Sequence, residues 1–346
     1  MKPELKQDQR SLISGLRQRA IAALTTPASK WTANALGIDM SHYQPQVDYN
    51  LVGQYIDFAI IKCGEGGLSY VNEAQNVPWD HLFDQHVNGL YHQSDVVTMA
   101  YYYHLPRENN AGYDPGMKYA LATNRKMLDK KVPQSGLARP SIYGWFCDLE
   151  SWKDYDGTTV ITPSNIFRST VDLIELMKKT YPKLPMIGLY SSFGYLSSYC
   201  PQLIPWLVSN DVPFWPAQWP YILGTVNLAA WADVVKYFPS ATADPLRKFQ
   251  QVYRVPSDYA WSFWQWSGDK LTAPGVLGGT GKRSYVDFDF YNGTPADLKK
   301  AVGYVPRNVP QPPPPPAPPP PAELTDPEKV TVLWREAGNR SWTLTK

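Results

Sequence analysis

Short apolar runs alternate with longer mixed segments between about residue 35 and residue 303. The clearest runs are IDFAIIKCGEG (56–66), VVTMAYYYHLP (96–106), YGWFCDLE (143–150), PMIGLYSS (185–192), PFWPAQW (213–219) and YAWSFWQWS (259–267). These runs are rich in β-branched and aromatic residues, which is typical of buried strands. We therefore expect each of them to form a strand of one sheet.

A helical pattern fills several of the segments between these runs. In PSNIFRSTVDLIELMKKTYP (163–182), Pro163 and Ser164 stand where a helix begins, and lysines occupy the last turn. Basic residues favour that end because the C-terminus of a helix carries partial negative charge. Strands that alternate with helices predict an α/β fold class with a mostly parallel sheet. Over this length, the natural candidate is a closed or nearly closed (β/α) barrel.

Both ends of the chain differ from this central pattern. In residues 1–34, Leu12, Leu16, Ala20 and Leu24 recur at helical spacing, which predicts a short amphipathic helical extension packed on a neighbouring surface. Basic residues on its other face leave contact with a membrane or a protein partner as an alternative. The same stretch lacks the apolar core of a secretory signal.

The C-terminal end begins with a proline-rich stretch, YVPRNVPQPPPPPAPPPPAE (304–323), which predicts a stiff polyproline II linker. In the tail, residues 324–346, the sequence TDPE (325–328) is typical of a helix start. We therefore expect a short helical tail. It is too short to bury a core of its own, so it docks on the main domain or on another chain, or is the remnant of a wall-binding module.

The composition of the chain argues against several classes of protein function. The net charge of +2 is too small for a surface that binds nucleic acid or anionic membranes. Three cysteines are too few and odd in number for a disulfide framework, and Cys63 and Cys147 are expected to be buried thiols. No apolar stretch approaches the length of a membrane span. The 13 Trp and 23 Tyr either fill the core or line a carbohydrate cleft.

Polar side chains stand at the ends of several predicted strands. Because the carboxyl ends of barrel strands meet at one face, these residues are expected to converge on one pocket. The alternative for each is a cap or a solvated side chain. The residues concerned are Asp39, Ser41, His42, Glu65, Tyr103, His104, Asp148, Glu150, Asp287 and Asp289.

The segment GWFCDLESW (144–152) places two carboxylates one residue apart among aromatic side chains. If it is a strand, Asp148 and Glu150 share one face. Poor hydration and mutual repulsion should raise the pKa of at least one of them, which suits acid–base chemistry. The alternative is a strand end at the rim, with both acids solvated.

Other kinds of chemistry have weak support. His42 and His104 could be metal ligands beside Asp39 and Asp148, but no HxH, HExxH or CxxC spacing occurs. The glycine-rich GVLGGTGKR (275–283) lacks the spacing of a phosphate-binding loop, and no GxSxG motif or Cys–His arrangement supports an acyl enzyme. We expect no metal and no cofactor.

Eight motifs in order make the chain resemble the lysozymes of glycoside hydrolase family 25, the Chalaropsis-type muramidases of bacteria, fungi and phages. They are GIDMSHYQ (37–44), IDFAIIKCGEG (56–66), YYHLPR (102–107), DLE (148–150), LYSS (189–192), WPAQW (215–219), WQWS (264–267) and VDFDFYNG (286–293). The resemblance implies an irregular, TIM-like (β/α) barrel over residues 35–303. It also implies cleavage of the β-1,4 bond between N-acetylmuramic acid and N-acetylglucosamine in peptidoglycan.

The resemblance also implies roles for particular residues. Glu150 would be the general acid, and Asp148 would stabilise developing positive charge or orient the acetamido group of the substrate. Asp39 and Asp287 match the outer acidic positions; Asp289 stands where the family more commonly has Asn, which leaves open which of these last two acids faces the cleft. Sugar-contacting positions would be Tyr103, Tyr190, Gln218, Trp264, His42 and Glu65.

Three functional hypotheses follow. The first is an active muramidase that acts on the bacterial cell wall as a phage lysin, a virion-associated hydrolase or an autolysin. The second is a glycan-binding module that has lost its chemistry, although all four expected acids are present. The third is a structural protein of a phage particle, with the N-terminal helix and the tail as contacts to other proteins. The partner implied by the first two is bacterial peptidoglycan.

Overall fold

The computed structural model describes residues 33–66, 79–108, 110–132, 141–154, 158–219, 261–277, 283–304, 329–332 and 342–345. Its strands are β1 (Leu36–Met40), β2 (Gln46–Val47), β3 (Phe58–Glu65), β4 (Val97–Tyr103), β5 (Trp145–Asp148), β6 (Ile187–Ser192), β7 (Phe214–Ala217), β8 (Phe263–Leu277), β9 (Arg283–Tyr291), β10 (Lys329–Val332) and β11 (Trp342–Thr345). Its helices are α1 (Tyr49–Val52), α2 (Phe83–Gln93), α3 (Asn110–Leu128), α4 (Pro163–Thr180), α5 (Phe193–Tyr199), α6 (Leu203–Ser209) and α7 (Pro295–Ala301).

Eight of these strands close into a mixed barrel. The order is β1-β3-β4-β5-β6-β7-β8 with parallel neighbours, and β9 closes the ring by pairing antiparallel with both β8 and β1. The short β2 adds to the far end of β8. Each apolar run in the sequence corresponds to a strand, so the expected α/β barrel and its mostly parallel sheet are confirmed.

The helix expected at residues 163–182 is α4, with Pro163 in its first turn and Lys178 and Lys179 in its last. Its buried apolar positions are separated by three, four or seven residues along one helical face and pack against the outside of the barrel, which is why this segment folds as a helix on the sheet. They are Ile166, Leu173, Ile174 and Met177.

Successive side chains along each strand point to opposite faces of the barrel wall, and this produces two apolar layers. On β5, Trp145 and Cys147 point outward into the layer beneath the helices, whereas Phe146 points into the barrel. Inside the barrel, Phe146 packs edge-on against Phe263 at 5.4 Å between ring centroids. Large aromatic side chains therefore fill the lower barrel, and polar residues are left at the carboxyl ends of the strands.

The three cysteines are free and buried, as expected for Cys63 and Cys147, and Cys200 shares this state. Among the described helices, none combines the length and the apolar character that a membrane crossing requires. Within the described ranges, no group of three or more His, Cys, Asp or Glu side chains is arranged to hold a metal ion.

The contacts divide the chain into two compact units, Met1–Arg307 and Asn308–Lys346. The expected N-terminal helix and the proline-rich linker lie outside the described residues. In the second unit the expectation of a helical tail is wrong where the chain is described, because β10 and β11 pair as antiparallel strands. The sequences KVTV and WTLT explain this, since β-branched residues favour a pleated strand over a helix.

Candidate active site

The carboxyl end of β5 carries the two acids of the DLE motif. Phe146 points into the barrel, so Asp148, two residues later, also points inward, and it is 5% exposed. Leu149 between them is buried in the outer layer, and Glu150 follows the strand with its side chain open to solvent at the barrel mouth. The two acids therefore differ in depth.

Burial and charge shift the acidity of both carboxyls. Burial raises the pKa of Asp148 well above its usual range, and the neighbouring Glu150 carboxylate raises it further. Burial also raises the pKa of Glu150, although solvent reaches this side chain, because protein atoms surround it on several sides; an interaction with the Tyr190 hydroxyl opposes the increase. The expectation that at least one acid has a raised pKa holds for both.

A second pair of acids lies across the barrel mouth, where β1 and β9 pair. Asp39 and Asp287 stand directly opposite each other in the register of these antiparallel strands. One amide joins them, since Gln265 Nε2 on β8 donates to Asp39 Oδ2 at 2.9 Å and to Asp287 Oδ2 at 3.1 Å. A shared neutral donor lets two carboxylates lie close together because both can form a hydrogen bond to it.

The other end of the same amide is also satisfied. Gln265 Oε1 accepts a hydrogen bond from the Tyr190 hydroxyl at 2.9 Å and another from Trp219 Nε1 at 3.2 Å. Reversing the amide would turn its NH₂ group toward the indole N–H, which can only donate, so the network determines its orientation. Gln265 thus connects the outer acids to Tyr190, which in turn interacts with Glu150.

An exposed indole lies beside this network. Trp219 follows β7 and is 51% exposed. Its ring rests on the backbone of Gly268, where a Cβ atom would come within 2.3 Å of the indole. The contact with Gly268 and the bond to Gln265 hold the ring in place while one face stays open. A fixed aromatic face next to paired carboxylates suits the binding of a sugar ring.

The acids share their end of the barrel with one lysine. Lys62 on β3 forms an ion pair with Glu65 at 2.5 Å and lies 5.4 Å from the ring centroid of Tyr103. Its charge counteracts the increase in the pKa of Asp148 and of Glu150. Glu65 and Tyr103 thus lie at the mouth with this lysine.

His42 lies at the same rim, just after β1. Its ring Nδ1 is 2.9 Å from the carboxylate of Asp80, and its backbone N–H donates to the same oxygen at 2.8 Å. Its ring contacts that of Tyr43 in a tilted arrangement, at 4.2 Å between centroids and 38° between planes. Asp80 therefore fixes His42 where a ligand in the mouth could reach it.

One expected sugar-contacting position, Trp264, needs correction. Trp264 is fully buried in the outer layer, and its indole donates to the backbone oxygen of Gln218, so Trp264 cannot contact a sugar. Strand alternation turns the next residue, Gln265, inward instead. Gln218 is half-buried, and the indole that the mouth presents is its neighbour Trp219.

The choice between the two acids of VDFD is also resolved. Asp287 is partly exposed at the mouth, whereas Asp289 is 0% exposed and accepts a hydrogen bond from Trp215 Nε1 at 2.8 Å. Both point to the same face of β9, but Asp289 lies one step deeper in the barrel. Asp287 is therefore the acid that faces the cleft.

His104 does not join the acids. It lies on the outer side of the sheet in a small cavity with Tyr102 and Arg107, and its Nε2 lies 2.8 Å from the hydroxyl of Ser169. Burial and the charge of Arg107 lower the pKa of His104 to about 3, so it is neutral at physiological pH. This cavity, about large enough for one water molecule, belongs to the packing of α3 and α4 on the barrel.

Gln265, Trp219 and Lys62 were not identified from the sequence. For Gln265 a signal was available, because a single polar residue between two tryptophans in a barrel strand faces the interior when both tryptophans face outward. For Trp219 and Lys62 no local signal exists, since an exposed indole and a strand lysine are common at any protein surface.

No family model matches the sequence, and no curated protein matches it. Among solved structures, the chain is similar to the catalytic domain of the endolysin of a bacteriophage of Listeria monocytogenes, with 17% identity over 78% of this chain and 98% of that one, at a TM-score of 0.46. It is similar to a family 25 lysozyme of Aspergillus fumigatus, with 17% identity over 78% and 99% of the two chains, at 0.47. A modular autolysin of Streptococcus pneumoniae, solved with a synthetic peptidoglycan ligand, is 15% identical over 75% of this chain and 47% of its own, at 0.45.

Proposed function

We propose that this protein is a peptidoglycan muramidase, which hydrolyses the β-1,4 bond between N-acetylmuramic acid and N-acetylglucosamine. One observation carries the proposal: four acids from distant parts of the sequence, Asp39, Asp148, Glu150 and Asp287, meet at one end of the barrel. An acidic cleft beside a fixed, exposed indole suits a glycosidase, because glycoside cleavage needs a proton donor and a stabiliser of positive charge.

Glu150 is proposed as the general acid. A donor at this step must hold a proton near neutral pH and lie where the glycosidic oxygen can approach it. Glu150 combines a raised pKa with a side chain open to solvent, whereas Asp148 is almost buried. Of the two, Glu150 is the one that a leaving oxygen can reach.

Asp148 is proposed to act on the sugar bound at the scissile bond. Its Oδ1 is buried and has no hydrogen-bond partner among the described residues. An amide N–H from the acetamido group of the substrate would satisfy this oxygen and orient the group. The same carboxyl, once ionised, would stabilise an oxocarbenium-like charge. Binding of the substrate thus offsets the unfavourable free energy of a buried oxygen without a hydrogen-bond partner.

The other mouth residues are proposed to position the glycan. Trp219 offers a stacking face, and Asp39 and Asp287, held by Gln265, accept hydrogen bonds from sugar hydroxyls. The remaining candidates for contact are Tyr103, Tyr190, His42, Glu65 and Gln218. The site of action is the bacterial cell wall, outside the cytoplasm.

The test is digestion of purified Gram-positive cell walls by the full chain, with mass spectrometry of the released fragments. A muramidase clears the suspension and releases fragments with muramic acid at the reducing end. Fragments that end in glucosamine, or free peptides, would identify a glucosaminidase or an amidase instead. Binding to walls without any release would favour a glycan-binding module.

A further inference from the structure

Asp289 has an unusual position for an acidic residue. It lies inside the barrel on β9, is 0% exposed, and stands in register with Gly37 on β1 and Gln265 on β8. Two further acids, Asp39 and Asp287, adjoin it. An ionised carboxylate in such a place would be shielded from water and would have no cationic side chain beside it among the described residues.

The hydrogen-bond donors around it are already used. Asp289 Oδ1 accepts from Trp215 Nε1 at 2.8 Å, while Oδ2 is buried and has no partner among the described residues. Gln265 Nε2 has two hydrogens, and it directs them to Asp39 and Asp287 at 2.9 and 3.1 Å. Asp39 lies two residues beyond Gly37 on β1 and is therefore the diagonal neighbour of Asp289 across the β1–β9 pair, where the two carboxyls interact.

Two carboxyls can form a hydrogen bond only if one of them holds a proton. We propose that Asp289 is a neutral carboxylic acid in the folded protein and that its Oδ2–H donates to the carboxylate of Asp39. Asp289 is then a positioning residue, which holds Asp39 toward Gln265 and does not touch the substrate. No charge needs to be buried at this depth, and each oxygen of Asp289 gains a partner.

The charges of the groups around Asp289 favour its neutral form. Asp39 on β1 and Asp287 on its own strand are acidic, and β7 and β8 contribute Trp215 and Gln265, which do not titrate near neutral pH. Burial raises the pKa of Asp289 most, the bond from Trp215 opposes this increase, and the charge of Asp287 adds to it. A bond with Asp39 lowers the pKa of Asp289 only where Asp39 holds the proton, and the deeper burial of Asp289, 0% exposed against 8% for Asp39, favours the proton on Asp289. Tyr190, which binds the same Gln265, has a raised pKa and stays neutral.

The first test requires no substrate and is therefore independent of the proposed reaction. Asp289→Asn keeps the shape and a donor, so the infrared difference spectrum between wild type and this variant at pH 7 should contain the carbonyl stretch of a protonated acid. A difference spectrum with only carboxylate bands would overturn the proposal. If the variant does not fold, carbon-13 NMR of aspartate-labelled Asp148→Asn, which removes the other buried aspartate with a strongly raised pKa, must still show a carboxyl that remains protonated at pH 7.

Thermal stability gives a second readout. A pKa that is higher in the folded than in the unfolded state makes the wild type lose stability as pH rises above the unfolded value, about 3.9. Asparagine does not titrate, so the melting temperature of Asp289→Asn relative to wild type should increase from pH 4 to pH 8. A relative melting temperature that is constant or falls over this range would contradict a neutral Asp289.

Activity on cell walls separates a positioning residue from a catalytic acid. Asp289→Asn should stay within about fivefold of wild type, whereas Asp289→Leu, which lacks any donor to Asp39, should fall further and melt at a lower temperature. A larger loss in a folded Asp289→Asn would mean that the ionised acid is needed. If wild type itself is inactive, the muramidase proposal fails while the infrared result stands.

Discussion

On the β1, β8 and β9 side of the barrel mouth, Asp39 and Asp287 both accept hydrogen bonds from Gln265 Nε2. On the β5 side, Asp148 is nearly buried and keeps one oxygen without a partner among the described residues, and Glu150 reaches solvent. The first side satisfies its acids with the protein's own donors. The second side leaves one oxygen of Asp148 without a partner among the described residues, and burial raises the pKa of both Asp148 and Glu150.

The difference indicates a division of labour. Acids that already have donors are held in place, and they can define where a glycan lies. Acids without donors are unstable as anions and gain most when a substrate supplies the missing partner. Tyr190 links the two sides, since it donates to Gln265 and interacts with Glu150. Substitutions on the two sides should therefore have different effects.

The largest effect is expected on the β5 side, at Glu150. Glu150→Gln removes the transferable proton and should reduce the release of reducing ends by roughly 10²–10⁴-fold, because general acid catalysis contributes that much. Folding should be unchanged. Glu175→Gln, on the exposed surface of α4, is the matched control and should keep full activity. An active Glu150→Gln variant would remove this residue from the mechanism.

Asp148→Asn should lower kcat by about 10²–10³-fold if the carboxylate stabilises charge in the transition state. The same substitution should increase the stability of the folded protein at neutral pH. The raised pKa of Asp148 means that wild type loses stability as pH rises from the unfolded value toward the folded one, and asparagine removes that loss. Melting curves between pH 4 and pH 8 should show a growing advantage for the variant. A variant destabilised across this range would indicate that the site stabilises the ionised acid.

On the other side, Gln265→Leu should mainly affect stability. Asp39 and Asp287 would lose their shared donor, and Tyr190 and Trp219 their acceptor, at a cost of about 1–3 kcal/mol in the free energy of unfolding. Urea unfolding measures this cost. Gln218→Leu is the control, because Gln218 is half-buried and no side-chain bond ties it to the acids. Equal stability of the two variants would show that the amide network is dispensable.

The smallest effect is expected at Trp219. Trp219→Ala removes the stacking face and should raise KM several-fold, about 0.5–1.5 kcal/mol, with little change in kcat. Trp219→Phe keeps an aromatic face but loses the bond to Gln265, so its KM should lie between those of wild type and the alanine variant. Steady-state kinetics on soluble glycan fragments can measure KM and kcat separately. An unchanged KM for Trp219→Ala would place the substrate elsewhere on the mouth.

Local patterns in the sequence determined most of the barrel. Apolar runs and the residues at the two ends of α4 predicted the elements, because burial of β-branched and aromatic residues depends on short-range spacing. The same spacing put Asp148 and Glu150 on one face of a predicted strand, and the structure added that Asp148 points into the barrel. Two expectations were wrong. In the tail, TDPE suggested a helix, but the β-branched residues that follow it pair as strands. At WQWS, the resemblance pointed to Trp264, although Gln265 is the residue that faces the barrel interior.

What the sequence by itself determined is which residue types stand at the ends of the strands. Only the tertiary structure decided which of them meet, because closure by the antiparallel β9 sets Asp287 opposite Asp39 and leaves Asp289 one step deeper. The bonds of Gln265 span 226 residues to Asp39, 75 to Tyr190 and 46 to Trp219. No periodicity within a segment carries such information, since register between distant strands is a property of the closed barrel.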